Sequence, residues 1–239
     1  MINGEIIDMQ YEEIINKKSF NDNLRYLNEQ IKIGLEKENF PIKIIGNIFY
    51  PHTPGFFYNE PLYWEMKKKR ERYSLALQNK SDMFEIGING GHSSLLALES
   101  NPNLKVVAND IAKFYPPCQD RHPEIYVQIA CKTLKEIYGD RFSYIIGDCQ
   151  TTVPKFINEN KDRKFDVIHL DGAKQTYTKD FYNLYGNMTD DCTVIFDDMQ
   201  DNGVKQQISN LFKDGKIKEN DLFPRMKENR YTHEIVTKN

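Results

Sequence analysis

Short apolar runs and amphipathic segments alternate along the chain from residue 81 to its end. The apolar runs are rich in β-branched and aromatic residues, as buried strands are, and the segments between them repeat apolar residues with helical spacing. This pattern predicts strands at 83–87, 105–109, 142–146, 165–170 and 193–196, and helices at 93–100, 124–138, 152–160, 178–187 and 203–213. Strands that alternate with such helices form parallel sheets with helices on both faces. We therefore expect an α/β fold with a doubly wound, mainly parallel, Rossmann-like sheet.

The first 80 residues follow a different pattern, which predicts an N-terminal helical extension. Its elements are a helix at 20–39, a short strand at 42–50, an ordered loop at 51–61 and a helix at 62–79. The loop is predicted from its three prolines and one glycine. The basic stretch at 67–72 is interpreted as a solvated face of the second helix, because charge runs on helices usually face water.

These differences divide the chain into an extension at 1–80 and a second unit at 81–239. The aromatic loop residues Phe56, Phe57 and Tyr58 immediately precede that second unit. The extension is expected either to cover the substrate site or to form a homodimer interface, and the sequence favours neither. At the other end of the chain, alternation at 230–237 predicts a last strand.

Composition narrows the possible partners. The chain has 239 residues and a formal net charge of −3, so no global basic field attracts nucleic acid or an anionic membrane. We find no apolar run of about 18 residues and expect no membrane span. The N-terminus is polar and acidic, unlike a secretion signal. The four cysteines show no zinc-type or CxxC spacing, which fits a reducing compartment, and we expect the protein to be cytoplasmic.

A glycine turn follows the first strand of the second unit. Gly87 can form the tight turn at the strand end, and Gly91 allows a ligand to approach the backbone before a helix begins at Ser93. The spacing G-x-x-x-G differs from the dinucleotide motif G-x-G-x-x-G. Glu85 would repel phosphates but suits the amino group and sulfonium of S-adenosylmethionine. The turn therefore predicts a site for this cofactor formed by Glu85, Gly87, Gly91 and Ser93.

Two further acids follow the next strands in the order that a nucleoside needs. Asp110 ends the second strand, where an acid is placed to bind ribose hydroxyls. Asp148 follows the third strand and can accept a hydrogen bond from an adenine amino group. An acid after a strand is also commonly a helix N-cap. The combination with the glycine turn favours the cofactor interpretation for both.

Three carboxylates follow the fourth and fifth strands. Asp171 ends the fourth, and the pair Asp197 and Asp198 ends the fifth, 26 residues later. Ligands bind outside the carboxyl ends of the strands in such sheets, so these acids should meet. Three carboxylates in one place repel unless a cation lies between them. The sequence thus predicts a divalent metal held by oxygen ligands, most simply Mg²⁺.

With these residues together, the chain from about residue 81 resembles class I S-adenosylmethionine-dependent methyltransferases. Within that class it resembles the cation-dependent O-methyltransferases of the catechol and caffeoyl-CoA type. The resemblance rests on the glycine motif, on Asp171-x-x-Lys174-x-x-Tyr177 and on Asp197-Asp198. Asp198 stands where that family usually has Asn. Small-molecule and sugar O-methyltransferases share a related acid pair, so the substrate class stays open.

The resemblance implies an enzyme that methylates a hydroxyl of a small molecule with adjacent hydroxyls, either catechol-like or a sugar. Asp171, Asp197 and Asp198 would bind the metal, which lowers the pKa of the acceptor hydroxyl. Lys174, with its charged form disfavoured near the metal, would assist deprotonation. His169 lies within the fourth strand and is interpreted as a core residue. Two alternatives stay open: a metal-independent methyltransferase, and a non-catalytic scaffold that binds S-adenosylmethionine.

Overall fold

The fold is that of a computed structural model, which describes residues 11–50, 62–113, 120–225 and 231–239. The strands in these ranges are β1 (Asp82–Ile86), β2 (Lys105–Asp110), β3 (Phe142–Ile146), β4 (Phe165–Leu170), β5 (Met188–Phe196), β6 (Ile217–Glu219) and β7 (Glu234–Lys238). They form a sheet in the order β3-β2-β1-β4-β5-β7-β6. Strands β1 to β5 are parallel, and β7 is antiparallel to both β5 and β6.

Helices cover both faces of this sheet. They are α1 (Lys18–Lys37), α2 (Lys67–Ala76), α3 (His92–Ser100), α4 (Pro123–Tyr138), α5 (Cys149–Glu159), α6 (Tyr177–Tyr185) and α7 (Asn202–Lys213). One apolar cluster unites α1 to α4 with the sheet, and a second unites α5 to α7 with its other face. The predicted doubly wound, mainly parallel α/β fold is confirmed.

The central strands β1, β2 and β4 agree with the pattern because their side chains are buried on both faces. β3 and β4 have the predicted bounds, and β1 and β2 differ by one residue at their ends. β5 begins at Met188, five residues before its predicted start, because the exposed pair Asp190 and Asp191 belongs to the strand. The three-residue β6 was not predicted, since only Ile217 in it is buried. The last strand predicted at 230–237 is β7.

The N-terminal extension and the rest of the chain share one hydrophobic core. Leu27 and Ile31 of α1 share one apolar cluster with Val127 and Leu134 of α4. The domain boundary at residue 80 stays a prediction, and residues on both sides of it belong to the same hydrophobic core. The strand predicted at 42–50 is wrong: these described residues form bends and irregular backbone.

Three cations of the basic stretch of α2 are buried, which corrects the prediction of a solvated face for these residues, whereas Lys68 is exposed as predicted. Lys69 and Arg70 are 7% and 2% exposed, and Arg72 is also buried. The Arg70 guanidinium donates to the Tyr63 carbonyl at 2.9 Å and to the Tyr11 hydroxyl. α2 itself is shorter than predicted and follows a 3-10 turn at Trp64–Met66. These contacts join α2 to other segments of the N-terminal extension.

The predicted loop at 51–61, with its aromatic residues Phe56, Phe57 and Tyr58, lies outside the described residues. Within the ranges that are described, each helix is too short or too polar to cross a membrane.

Candidate active site

The turn after β1 places two glycines at the carboxyl end of the sheet. Gly87 and Gly91 have φ angles of 93° and 78°, a conformation that other residues rarely adopt. A Cβ on Gly87 would lie 2.2 Å from the backbone oxygen of Asp171, which follows β4. Gly91 is the N-cap of α3. The predicted cofactor turn therefore lies directly against the first of the predicted metal-binding acids.

Glu85 lies deeper than its predicted role requires. Its side chain is 0% exposed and stands beside His169 on the neighbouring strand. One oxygen accepts from the Ser93 hydroxyl at 2.5 Å and from His169 Nδ1 at 2.8 Å, and the other accepts from the Ser94 hydroxyl. The Glu85 carboxylate joins β1, β4 and the start of α3, and cofactor binding by Glu85 stays a prediction. Contact of Glu85 with a ligand would require these hydrogen bonds to open.

The two predicted nucleoside acids lie at the ends of neighbouring strands. Asp110 accepts backbone N–H groups from Asn89 at 2.9 Å and from Ala112 at 2.8 Å. Burial raises the pKa of Asp110 above its ordinary value, although these hydrogen bonds oppose the shift. Asp148 is exposed and caps α5 by accepting from the Gln150 backbone N–H at 2.9 Å. Cofactor binding by either acid stays a prediction.

A small cavity joins the glycine turn to the acids. It has a volume of ≈ 20 Å³, which is room for about one water molecule. It is lined by Ile88 and Asn89 of the turn, by Asp171 and Asp197, and by residues 46–48. A single space is therefore bordered by the predicted cofactor turn and by the predicted catalytic acids.

The segment at 45–48 beside the cavity is held by the turn itself. The Asn89 side chain donates to the carbonyls of Ile45 at 3.1 Å and Gly46 at 3.0 Å. His92 also lines the cavity, and its Nε2 contacts Asn28 Oδ1 at 2.8 Å. Burial lowers the pKa of His92 to about 3, so the ring is neutral. Its buried Nδ1 has no hydrogen-bond partner within the described ranges, which leaves one polar atom at the cavity for a ligand.

The acids after β4 and β5 meet because these strands are parallel neighbours. His169, Asp171 and Asp197 each offer a ligand atom, and these atoms lie within 4.8 Å of one another. Asp198 turns away at a φ of 57° and accepts from the Gln200 side chain at 2.6 Å. The structure thus gathers Asp171 and Asp197 with His169, which was interpreted as a core residue.

A lysine from the N-terminal extension completes this cluster. The Lys69 ammonium lies 2.6 Å from each carboxylate oxygen of Asp197. Both side chains are buried, at 9% and 8% exposed. The same carboxylate accepts the Asp198 backbone N–H at 2.6 Å, and His169 Nε2 lies 3.9 Å from it. Asp197 is therefore paired with cations that belong to the protein.

The pKa shifts of the acids differ accordingly. Burial would raise the pKa of Asp197, but the Lys69 ammonium and His169 outweigh it and hold that pKa below its usual range. Burial, and then the charge of Asp197, raise the pKa of Asp171 well above its usual range. The pKa of His169 is raised to about 10, since hydrogen bonds to Asp197 and Glu85 overcome its burial. The cluster holds an ionised Asp197 beside an Asp171 that binds protons readily.

Lys174 does not lie in the desolvated setting that its predicted role requires. Its side chain is 45% exposed, and its Nζ lies 3.4 Å from Asp198 Oδ1. Tyr177 is fully buried against the Phe196 ring, at a centroid distance of 6.4 Å. The role of Lys174 stays a prediction.

The donor set fits a divalent metal poorly. Mg²⁺ needs oxygen ligands at about 2.1 Å with open lone pairs, but both oxygens of Asp197 face the Lys69 ammonium. His169 is a nitrogen donor, which suits Mg²⁺ less well than oxygen, and its Nδ1 is used by Glu85. The repulsion that led to the metal prediction is relieved by Lys69 and His169 instead.

One sequence signal was available for Lys69. Met66, Lys69, Tyr73 and Ala76 repeat at three- and four-residue spacing, and all four are buried. Such spacing marks the inner face of a helix. Read in this way, the basic stretch places one lysine among core residues. Its partner Asp197 is 128 residues away, and no local pattern connects the two.

The central part of the chain, residues 84–199, matches the profile of a protein family described as a methyltransferase domain. Residues 84–199 form a methyltransferase domain. This domain runs from β1 to the turn after β5 and contains each residue that the sequence predicted for the site. Lys69 lies outside it. The predicted resemblance to class I methyltransferases is confirmed, and the core of the protein is that of a methyl-transfer enzyme.

Solved structures agree with this domain at low sequence identity. An O-methyltransferase from Bacillus cereus, solved with SAH, is 15% identical, with a TM-score of 0.59 over 94% of this chain and 93% of that one. A Staphylococcus aureus protein assigned as a caffeoyl-CoA O-methyltransferase is 15% identical, with a TM-score of 0.56 over 99% of both chains. CalS11, a TDP-rhamnose 3'-O-methyltransferase of calicheamicin biosynthesis, is 16% identical, with a TM-score of 0.52 over 73% and 80%.

At these identities the likeness shows the methyltransferase fold and carries no substrate. Among proteins with curated functions, none matches this chain at the level of sequence.

Proposed function

We propose that this methyltransferase transfers the methyl group of S-adenosylmethionine to a hydroxyl of a small molecule. The observation that carries the proposal is the shared cavity, in which the glycine turn and the acids Asp171 and Asp197 border the same space. A methyl donor bound at the turn would have its sulfonium near these acids. The buried Asp110 carboxylate, which the Asn89 backbone N–H holds beside the glycine turn at 2.9 Å, supports the fit of the cofactor.

Asp171 is the proposed general base. The acceptor oxygen attacks the methyl carbon, the carbon–sulfur bond breaks to release S-adenosylhomocysteine, and the hydroxyl proton passes to the Asp171 carboxylate. A carboxylate with a raised pKa accepts this proton more readily than an ordinary one. Asp171 is also partly exposed, so an acceptor can reach it. Orientation of the acceptor against the sulfonium supplies much of the rate.

The acceptor class is proposed to be a molecule with adjacent hydroxyls, either catechol-like or a sugar. Two similar structures, one assigned as a caffeoyl-CoA O-methyltransferase and one a TDP-rhamnose 3'-O-methyltransferase, give the acceptors to test first. Adjacent hydroxyls suit this cluster, since one can give its proton to Asp171 while the second donates to Asp198. Metal assistance forms no part of the proposal, because Lys69 occupies both oxygens of Asp197.

The cavity as it stands is too small for the methionine end of the cofactor. Binding therefore requires the segment at 45–48 to move, which breaks its hydrogen bonds to Asn89. The segment at 45–48 would then cover the cofactor site. A cover over the substrate site and a homodimer interface both stay predictions for the extension.

Calorimetric titration with S-adenosylmethionine, followed by transfer of labelled methyl groups to a panel of catechols and sugars, tests the proposal. We expect binding by the wild type and by Asp171→Asn, with methyl transfer lost only in the variant. Binding without transfer to any acceptor would indicate a scaffold. Absence of binding would contradict the proposal altogether.

A further inference from the structure

The acidic cluster already contains a cation. The Lys69 ammonium lies 2.6 Å from both oxygens of Asp197, and it reaches them from α2, outside the methyltransferase domain. An ion at this position would have to coordinate the same two oxygens. An ammonium and a divalent cation repel each other strongly at such a distance in a buried site. Lys69 and a metal are therefore mutually exclusive on Asp197.

Lys69 is held in place by its own helix. The neighbouring Arg70 guanidinium donates to the Tyr63 carbonyl at 2.9 Å and to the Ile48 carbonyl at 3.3 Å. Tyr73, one turn further on, packs its ring against His169 at a centroid distance of 5.1 Å. Removing Lys69 from Asp197 would leave two buried charges unpaired, which costs several kcal/mol. A metal that displaced the Lys69 ammonium would therefore have to offset this cost in free energy.

The other potential ligands are also used. His169 Nδ1 contacts Glu85 at 2.8 Å, and Asp198 is bound by the Gln200 side chain at 2.6 Å and faces Lys174 at 3.4 Å. Asp171 alone among the three predicted metal ligands has no side-chain cation at ion-pair distance within the described ranges. One carboxylate does not hold Mg²⁺ in a protein without further oxygen ligands.

We infer that Lys69 is the resident cation of this cluster and that it excludes divalent metal from Asp197. As a consequence, methyl transfer by this protein proceeds without a metal. The first statement concerns binding alone, and only the second rests on the proposed function. The lysine thus provides the charge that a metal supplies in cation-dependent O-methyltransferases.

Titration with Mn²⁺ tests the inference without cofactor or acceptor. Binding is measured as the loss of the electron paramagnetic resonance signal of the free ion. The proteins compared are the wild type, Lys69→Met, Asp197→Asn, and the control Lys68→Met, which changes an exposed lysine of the same helix. We expect no saturable binding by the wild type or by Lys68→Met. Lys69→Met should bind one Mn²⁺ at least about tenfold more tightly, because Asp197 is freed.

Mn²⁺ binding by the wild type that Asp197→Asn abolishes would overturn the inference. So would a folded Lys69→Met protein that gains no Mn²⁺, because Lys69 would then not be what excludes the metal. If Lys69→Met does not fold, the wild type and Asp197→Asn decide the question by themselves. Methyl transfer that persists in a chelator would support the second statement, and an inactive wild type with unchanged metal exclusion would count only against the proposed function.

Discussion

The carboxylates at the predicted nucleoside site and those in the acidic cluster are stabilised by different partners. On the nucleoside side, Asp110 and Asp148 accept backbone N–H groups from residues near them in sequence or from the adjacent turn. On the acid side, Asp197 is satisfied by Lys69, which is 128 residues away. The nucleoside site is assembled by local turns and caps, whereas the acidic cluster depends on the packing of the extension against the sheet. Local sequence patterns can therefore describe the nucleoside site and not the acidic cluster.

The largest expected effect concerns the acid that lacks a lysine. Asp171→Asn should lower the rate of methyl transfer by about 10²- to 10⁴-fold, because the proposed general base is lost. Binding of S-adenosylmethionine should be unchanged, and so should the activity of the exposed control Asp162→Asn. Steady-state kinetics and calorimetry measure both. A variant with full activity would exclude Asp171 as the base.

The pH profile gives the same test without a substitution. Burial and the charge of Asp197 raise the pKa of Asp171, and a base acts only when it is deprotonated. Activity should therefore rise with pH through a midpoint above about 3.9, the ordinary value for aspartate. Single-turnover rates at saturating cofactor measure this midpoint, and a rate that falls as pH rises would contradict the assignment.

The next largest effect concerns the acidic cluster, where Asp197 is paired with a residue distant in sequence. Lys69→Met should lower the free energy of unfolding by about 3–5 kcal/mol, since it leaves the Asp197 carboxylate buried and unpaired. The exposed Lys68→Met should stay within about 0.5 kcal/mol of the wild type. Urea unfolding gives both values. A Lys69→Met protein as stable as its control would mean that the ion pair is not what holds the cluster.

A smaller effect is expected at the predicted nucleoside site, whose acids are held by residues near them in sequence or in the adjacent turn. Asp110→Asn should weaken S-adenosylmethionine binding by about 10- to 100-fold, the usual cost of losing a hydrogen bond to a charged group. Calorimetric titration with S-adenosylmethionine measures this loss. The metal-binding behaviour should be that of the wild type, because Asp110 takes no part in the acidic cluster. Unchanged affinity would remove Asp110 from the cofactor site.

The smallest effect separates the two roles of Asp148. Asp148→Ala removes the N-cap of α5 and should cost about 1 kcal/mol of unfolding free energy. A loss of cofactor affinity in addition would support contact with the adenine amino group. Stability loss with unchanged affinity would leave Asp148 a cap and nothing more. Thermal unfolding with and without the cofactor distinguishes these outcomes.

The sequence by itself determined the sheet and the order of its acids. Strands β1, β2, β4 and β5 could be predicted because parallel strands buried on both faces are short, continuous apolar runs. Gly87 and Gly91 could be predicted because a tight turn against a neighbouring backbone admits only glycine. Asp171 and Asp197 could be predicted to meet, since they end neighbouring parallel strands. Each of these inferences uses a period or a turn contained within one short segment.

Only the tertiary structure decided which cation meets those acids. Lys69 lies in a stretch that charge alone marks as solvated, and its burial depends on how α2 packs against the sheet. The hydrogen bonding of Glu85 likewise depends on the tertiary structure, because its partner His169 stands beside it on β4. A charge is tolerated in a core only when an opposite charge lies within hydrogen-bond distance. Since that partner comes from a distant segment, its identity is set by packing.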